Sequence, residues 1–128
     1  MTDENAMLQA VIHNPDEDAP RLAYADYLEE NGQADRAAFI RVQCELARAP
    51  AGDPRRPELE ARERALLDEH EQEWAAPVRA FADGWAFRRG FIEEVTFSGE
   101  PSQQQLQAVV RRAPIREVNV IIAGGGGE

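Results

Sequence analysis

The clearest hydrophobic pattern lies in residues 18–46, where two stretches place apolar side chains at helical spacing. The first stretch carries Leu22, Ala25 and Leu28, and the second carries Phe39, Ile40, Cys44 and Leu46. Asp18 is placed to cap the first helix, and Gly32 ends it, because glycine readily adopts the left-handed conformation found at helix C-termini. The pattern predicts an αα-hairpin whose apolar faces are turned toward each other.

Helical spacing recurs on both sides of this hairpin. Residues 3–13 predict a short helix that ends before Pro15. Residues 48–57 predict a loop, because three prolines and a glycine in this stretch leave no room for a helix. A long helix over 57–82 follows, with a kink expected at Pro77.

After residue 83 the hydrophobic period changes to that of β-strands. Residues 92–97 alternate, 102–113 return to helical spacing, and 115–122 predict another strand. The two strands share one motif, Ile92-x-x-Val95-x-Phe97 and Ile115-x-x-Val118-x-Val120, at an offset of 23 residues. That offset is typical of leucine-rich repeats, and it predicts parallel pairing through a right-handed crossover. A plain β-α-β unit is the alternative interpretation.

Together these patterns predict an α+β fold in a single domain over residues 1–123. A four-helix region that contains the αα-hairpin occupies 1–82, and a small β-α-β end similar to leucine-rich repeats occupies 83–123. The helical part must cover the two strands, because a stable solenoid needs about three repeats or more. The glycine-rich tail, 124–128, is predicted to be disordered.

Residues 18–46 also resemble a known family. The run DAPRLAYADYLEE, followed by Gly32 and by RAAFIRVQCEL, is similar to the repeat-companion domain of planctomycete and myxobacterial proteins, whose usual form is DDAPRLVYADWLEERGD and then RAEFIRLQ. Tyr27 stands where the family usually has tryptophan. The family commonly lies N-terminal to leucine-rich repeats or other modules, so the resemblance implies a repeat-associated bacterial protein. It implies an architecture and no particular biochemical activity.

Charge and cysteine content exclude several classes of function. A formal net charge of −10 argues against nucleic-acid binding, which needs clustered positive charge. The arginine pairs at 55–56, 88–89 and 111–112 are interpreted as solvated or salt-bridged surface. The single cysteine, Cys44, excludes an internal disulfide and fits the reducing cytoplasm. No signal-peptide pattern and no apolar run near the ~18 residues of a membrane span occur, so we expect a cytoplasmic protein without a membrane partner.

Few residues are candidates for chemistry. Cys44 lies on the apolar side of its helix and is interpreted as a small hydrophobe. Neither histidine has a second ligand at metal-site spacing, so no metal and no cofactor are predicted. Asp26 lies between two tyrosines, with Arg36 and Arg41 on the next helix as candidate partners. Its structural interpretation is an ion pair or a tyrosine hydrogen bond that fixes the hairpin, and its functional interpretation is a polar contact for a partner.

The leading hypothesis is a non-catalytic protein-interaction or capping module. Its predicted partner surface is the strand face formed by Glu94, Thr96, Glu117 and Asn119. The edge of strand 115–122 is predicted to pair with a partner strand or a second copy, unless residues 98–101 or the N-terminal helix cover it. One rival is an enzyme or enzyme accessory that uses Asp26, which a pocket of convergent polar groups would favour. The other is a TPR-like helical adaptor, which requires residues 85–122 to be helical.

Overall fold

The computed structural model describes residues 4–122 and confirms the α+β class. Its helices are α1 (Glu4–His13), α2 (Asp18–Glu30), α3 (Ala34–Arg48), α4 (Arg56–Trp74), α5 (Ala76–Arg79) and α6 (Gln103–Arg112), and its strands are β1 (Gly84–Arg88), β2 (Phe91–Ser98) and β3 (Glu117–Ile121). The tail 124–128 lies outside the described residues. None of the helices in 4–122 has both the length and the apolar character needed to cross a membrane.

The predicted hairpin is formed by α2 and α3, and Gly32 makes its turn. Gly32 has a φ of +83°, and the N–H of Gln33 donates to the carbonyl of Leu28 at 2.8 Å, as in a Schellman motif. Leu28 belongs to one buried cluster with Ile40 of α3, and Val11 of α1 completes this first core. The tight turn therefore lets α1, α2 and α3 share a single apolar interior.

Helix α3 is buried on two sides. The ring of Phe39 lies 5.0 Å from the ring of Trp74 and 5.3 Å from that of Phe87, measured between centroids. Phe39 thus packs toward α4 and β1, whereas its neighbour Ile40 packs in the first core. The apolar face of α3 is wider than the hairpin alone requires, because the helix also supports the sheet.

Two helix ends differ from the sequence-based expectation. Asp18 does not cap α2: Glu17 occupies the N-cap position without a side-chain bond, and the Asp18 carboxylate accepts a 2.9 Å hydrogen bond from Arg89. The helix predicted over 57–82 is divided at Ala75 into α4 and α5. Pro77 accounts for the division, since it has no N–H to continue the helical hydrogen bonds.

The three strands form one sheet in the order β1-β2-β3. Strands β1 and β2 are antiparallel and are joined by Arg89 and Gly90, whose φ values of 48° and 91° fit a type I′ turn. Strands β2 and β3 are parallel, and Glu94 lies beside Glu117, so the predicted 23-residue offset is also the register of the pair. Strand β1 is an addition to the predicted β-α-β end.

Strand β2 contains a bulge at Glu93. Ala86 of β1 pairs with Glu94 and Phe87 pairs with Ile92, which leaves Glu93 without a partner on β1. An extra residue of this kind bends a strand and changes the direction of the side chains beside it. The regular alternation expected over 92–97 is therefore interrupted at its start.

The bulge lets β2 contribute to two cores. Phe91 joins the first core beside the helical hairpin, whereas Ile92 joins a second one. This second core also contains Val78 of α5, Val95 of β2 and Val109 of α6. Helix α5 of the helical part and helix α6 of the β-α-β end thus pack together on this face of the sheet.

Arg21 connects the helical hairpin to the sheet. Its side chain is completely buried and forms a 2.6 Å ion pair with Glu93. It also donates to the carbonyl oxygens of Pro15 at 2.7 Å and of Arg88 at 2.8 Å. These contacts offset the cost of removing the guanidinium from water. Sequence patterns alone gave neither Arg21 nor Glu93 a role.

The β1–β2 turn fits against α3 through Gly90. The N–H of Gly90 donates to Oε1 of Gln43 at 2.7 Å. A Cβ atom at this position would lie 2.7 Å from the Cα of Ile40, closer than non-bonded carbon atoms approach each other. The turn can therefore approach the helix this closely only with glycine.

We expect Gly90→Ala to lower the free energy of unfolding by about 3 kcal/mol or more, because the clash with α3 adds to the strain of a left-handed alanine. Gly32→Ala is the matched control. Gly32 has a similar φ, but its Cβ would meet nothing within 4 Å. Backbone strain alone, about 1–2 kcal/mol, is expected there. Urea unfolding measures both, and equal losses would contradict the close contact at Gly90.

Arg21→Met should lower the free energy of unfolding by about 3–5 kcal/mol, because it leaves the Glu93 carboxylate buried without its main partner. The double variant Arg21→Met/Glu93→Met removes both charges and should lose less than the single variant. Urea denaturation of the parent, both single variants and the double variant gives the coupling. Strictly additive losses would show that the two side chains do not stabilise each other.

Candidate interaction surface

The four predicted partner-binding residues lie together on one face of the sheet. Glu94 and Thr96 are two residues apart on β2, so their side chains point to the same side. The parallel register places Glu117 beside Glu94 and Asn119 beside Thr96. Because this register equals the sequence offset of the two motifs, the grouping of these side chains follows from the repeat.

Hydrogen bonds link this polar face to Arg88. The Nδ2 atom of Asn119 donates to Oε2 of Glu94 at 2.6 Å. The Nη2 atom of Arg88 donates to Oε1 of Glu94 at 2.7 Å and lies 3.5 Å from Oε1 of Glu117. The interpretation of Arg88 as salt-bridged surface is therefore confirmed. The face offers a partner one guanidinium held between two carboxylates.

Strand β3 forms an open edge beside this face. No other strand in residues 4–122 pairs with its outer side. Across residues 4–122, the exposed large apolar side chains are Val118 (41%), Val120 (42%), Ile121 (57%), Ile122 (66%) and, on α6, Val110 (44%). Exposed apolar residues on an unpaired edge form a template for another strand.

The exposed valines of β3 continue the buried face of β2. Val118 lies beside Val95, and Val120 lies beside Phe97. Val95 and Phe97 are buried in the second core, whereas the two valines retain about two fifths of their surface in solvent. The helical cover thus ends between β2 and β3, and apolar surface extends past it.

Asp26 forms the predicted pair with Arg41. Its carboxylate accepts a 2.7 Å hydrogen bond from Nη2 of Arg41, which also lies 2.9 Å from Glu29. These acids raise the pKa of Arg41, and the largest cause is the hydrogen bond that Arg41 donates to Asp26. Arg36 does not share the site, and Tyr24 hydrogen-bonds to Glu4 instead of to Asp26. The two residues form a solvent-exposed ion pair that links α2 to α3.

Cys44 is buried in the first core, as its position in the helix predicted. Burial raises the pKa of its thiol to about 11. The thiol is therefore protonated at neutral pH, and only the thiolate is an effective nucleophile. The structure thus places Cys44 in a packing role.

His70 lies in a network that sequence spacing did not reveal. Its Nε2 atom is 2.9 Å from Oδ2 of Asp35, its Nδ1 atom is 3.2 Å from Glu73, and its ring stacks on Trp74 at 4.6 Å. Asp35, Glu69 and His70 place ligand atoms within 4.8 Å of one another, so these residues could hold a metal ion. Because both ring nitrogens already face carboxylates and both acids of the trio are exposed, we interpret the group as a surface network that ties α4 to α3.

Comparisons with protein-family models, with curated proteins and with solved structures each gave no match to this chain. The surface is therefore interpreted from its own residues. The resemblance of residues 18–46 to the repeat-companion domain stays a prediction.

His70 should make stability depend on pH. Hydrogen bonding to Asp35, the largest cause, raises the pKa of the imidazole above its ordinary value of 6.5. The stabilisation is complete below that unfolded-state pKa and is lost as pH rises through the higher folded-state pKa. His70→Gln should thus lower the free energy of unfolding more at about pH 5 than at about pH 9.

Urea unfolding at the two pH values measures this difference. Asp35→Asn removes the main partner and keeps the imidazole, so it should reduce the pH dependence while a smaller part remains through Glu73. If His70→Gln lowers the free energy of unfolding equally at both pH values, the stabilising contact of a charged His70 with Asp35 is contradicted.

Proposed function

We propose that the protein is a non-catalytic interaction module that pairs the open edge of β3 with a strand of a partner. The observation that carries this proposal is the exposure of Val118, Val120 and Ile121 on β3, and of Ile122 directly after it, where no strand of residues 4–122 pairs with the outer side. In such complexes the backbone of the edge supplies hydrogen bonds, and alternate side chains supply specificity. The exposed valines would make the contact largely apolar on the side of the second core.

A partner with strand–helix repeats fits this edge. Strand β2, helix α6 and parallel strand β3 form one strand–helix unit followed by the strand of a second, with a register of 23 residues. A further unit of the same form would add a strand beside β3 and a helix over Val118 and Val120. We therefore infer a degenerate pair of leucine-rich-like units that caps an array, in agreement with the resemblance to the repeat-companion domain.

The polar face of Glu94, Thr96, Glu117 and Asn119 would then be the first part of a longer strand surface. Strand faces of leucine-rich arrays bind ligands, and this one is acidic with a central guanidinium. A net charge of −10 supports a protein partner over a nucleic acid. The buried single cysteine supports a cytoplasmic location.

The rival functions have weaker support. The TPR-like adaptor required helices over 85–122, where the structure has three strands. The enzyme hypothesis relied on Asp26, whose carboxylate is exposed and paired with Arg41. A surface ion pair is a common structural feature, and it does not favour catalysis.

The edge is tested by a charge placed on it. If a second copy can occupy β3, the mass measured by light scattering should rise with protein concentration, and Ile121→Lys should abolish the rise because a lysine on the edge blocks pairing. Gln72→Lys is the matched control: it adds the same charge at an exposed position of α4 and should leave association unchanged. Hydrogen exchange of the β3 amides is measured alongside.

Fast exchange of the outer β3 amides in a monomer would support an edge reserved for a different partner. A strictly monomeric protein whose outer β3 amides exchange slowly would contradict the proposal. That result would mean that another part of the chain already covers the edge.

A further inference from the structure

Within the described residues no carboxylate contacts the guanidinium of Arg36 directly, and the charge of nearby Glu4 acts on it without forming an ion pair. Among residues 4–122 the guanidinium forms no hydrogen bond and no ion pair, and its Nη1 nitrogen is enclosed without a hydrogen-bond acceptor. Buried charges in proteins are normally paired, because removing a cation from water is costly. The unpaired state of Arg36 therefore needs an explanation that the packing of α3 does not give.

Four aromatic rings surround this guanidinium. Its Cζ atom lies 5.2 Å from the ring centre of Trp74, 5.5 Å from Phe91, 5.7 Å from Phe39 and 5.8 Å from Phe87. Ring faces attract cations, so this cage offsets part of the cost of burial. Burial still lowers the pKa of Arg36 to about 10, and the group therefore stays charged at neutral pH.

Arg36 also lines a cavity of about 530 Å³, a volume typical of small-molecule sites. The cavity lies among α1, α3, the α4–α5 junction and the end of α6. Its apolar wall includes Leu8, Trp74, Val78, Phe91 and Ile92, and its charged groups are Arg36, Arg111, Arg112, Glu4 and Glu73. Arg36 as a residue has intermediate exposure and lines this cavity, although its Nη1 nitrogen is enclosed.

The two acids of the cavity are already engaged. Glu4 accepts a 2.6 Å hydrogen bond from the hydroxyl of Tyr24, and Glu73 lies 3.2 Å from the imidazole of His70. Three guanidinium groups therefore face two occupied carboxylates. Among residues 4–122 none of the three guanidinium groups forms a direct ion pair with these acids, and Arg36 is the one that lies among the aromatic rings of the apolar wall.

We propose that this cavity binds a small organic carboxylate with an aromatic or branched apolar body, and that the carboxylate pairs with Arg36. A carboxylate matches the planar fork of a guanidinium and forms strong charge-assisted hydrogen bonds with it. The apolar body would pack against Trp74 and Phe91. The site is independent of the β3 edge.

A monovalent anion fits this site better than a phosphate. Glu4 and Glu73 line the same cavity and would repel a second negative charge. A free organic acid and the C-terminal carboxylate of a peptide share the required chemistry.

An NMR titration of the intact chain tests the proposal. The probe is phenylacetate, and phenylacetamide is its neutral analogue. We expect saturable shifts of the Trp74 indole signal with the acid, and binding of the amide weaker by about tenfold or more, which is the effect of losing one charged hydrogen-bond pair. N-acetylphenylalanine and its amide repeat the comparison for a peptide C-terminus. The carboxylate that binds more tightly then identifies the source of the ligand.

Arg36→Met keeps the side-chain volume and should weaken phenylacetate binding by a similar factor of about ten or more. Arg62→Met removes one exposed positive charge elsewhere and should bind like the parent, as should Ile121→Lys. The absence of a saturable shift, equal affinity for acid and amide, or unchanged binding by Arg36→Met would each overturn the proposal. If Arg36→Met does not fold, the comparison of acid and amide with the parent protein decides.

Discussion

The burial of one positive charge fixes how the helical part and the sheet of this protein meet. Arg21 on α2 leaves water completely, and its desolvation is offset only while its acceptors stay in place. Those acceptors are the carbonyl of Pro15, the carbonyls of the β1–β2 turn and the carboxylate of Glu93. Arg89, in the same turn, binds Asp18 at the start of α2. A shift of the sheet against α2 would break several of these bonds together.

This attachment determines which edge of the sheet stays open. Strand β1 is also an edge, but Phe87 packs on Phe39 of α3, and the indole of Trp85 donates to Glu71 of α4 at 3.0 Å. The bulge at Glu93 turns the start of β2 toward the helical hairpin, while the rest of the strand covers the second core. Strand β3 lies on the side of β2 away from β1, and its apolar residues are exposed along the edge that no described strand covers.

Local periodicity was sufficient to predict most elements and the polar face. The α2–α3 hairpin follows from helical spacing and Gly32, and the parallel register of β2 and β3 follows from an offset within the sequence. The buried contacts could not be predicted in this way. Arg21 and Glu93 are 72 positions apart, and an arginine on a helix is typical of solvent-exposed surface. Glu93 also occupies the bulge, where strand alternation no longer indicates which side chains are buried.

Two arginines lie against the ring of Phe91, and within residues 4–122 only one of them forms a direct ion pair. Arg21 is 5.6 Å from the ring centre and contacts Glu93, whereas Arg36 is 5.5 Å away and feels the charge of Glu4 without a direct contact. If Arg36 served packing alone, an apolar side chain of similar volume would be as good or better, because buried charges can be replaced in this way without loss of stability. Packing therefore accounts for the volume of Arg36 but not for its charge. An anion in the adjoining cavity would give Arg36 the compensation that Glu93 gives Arg21.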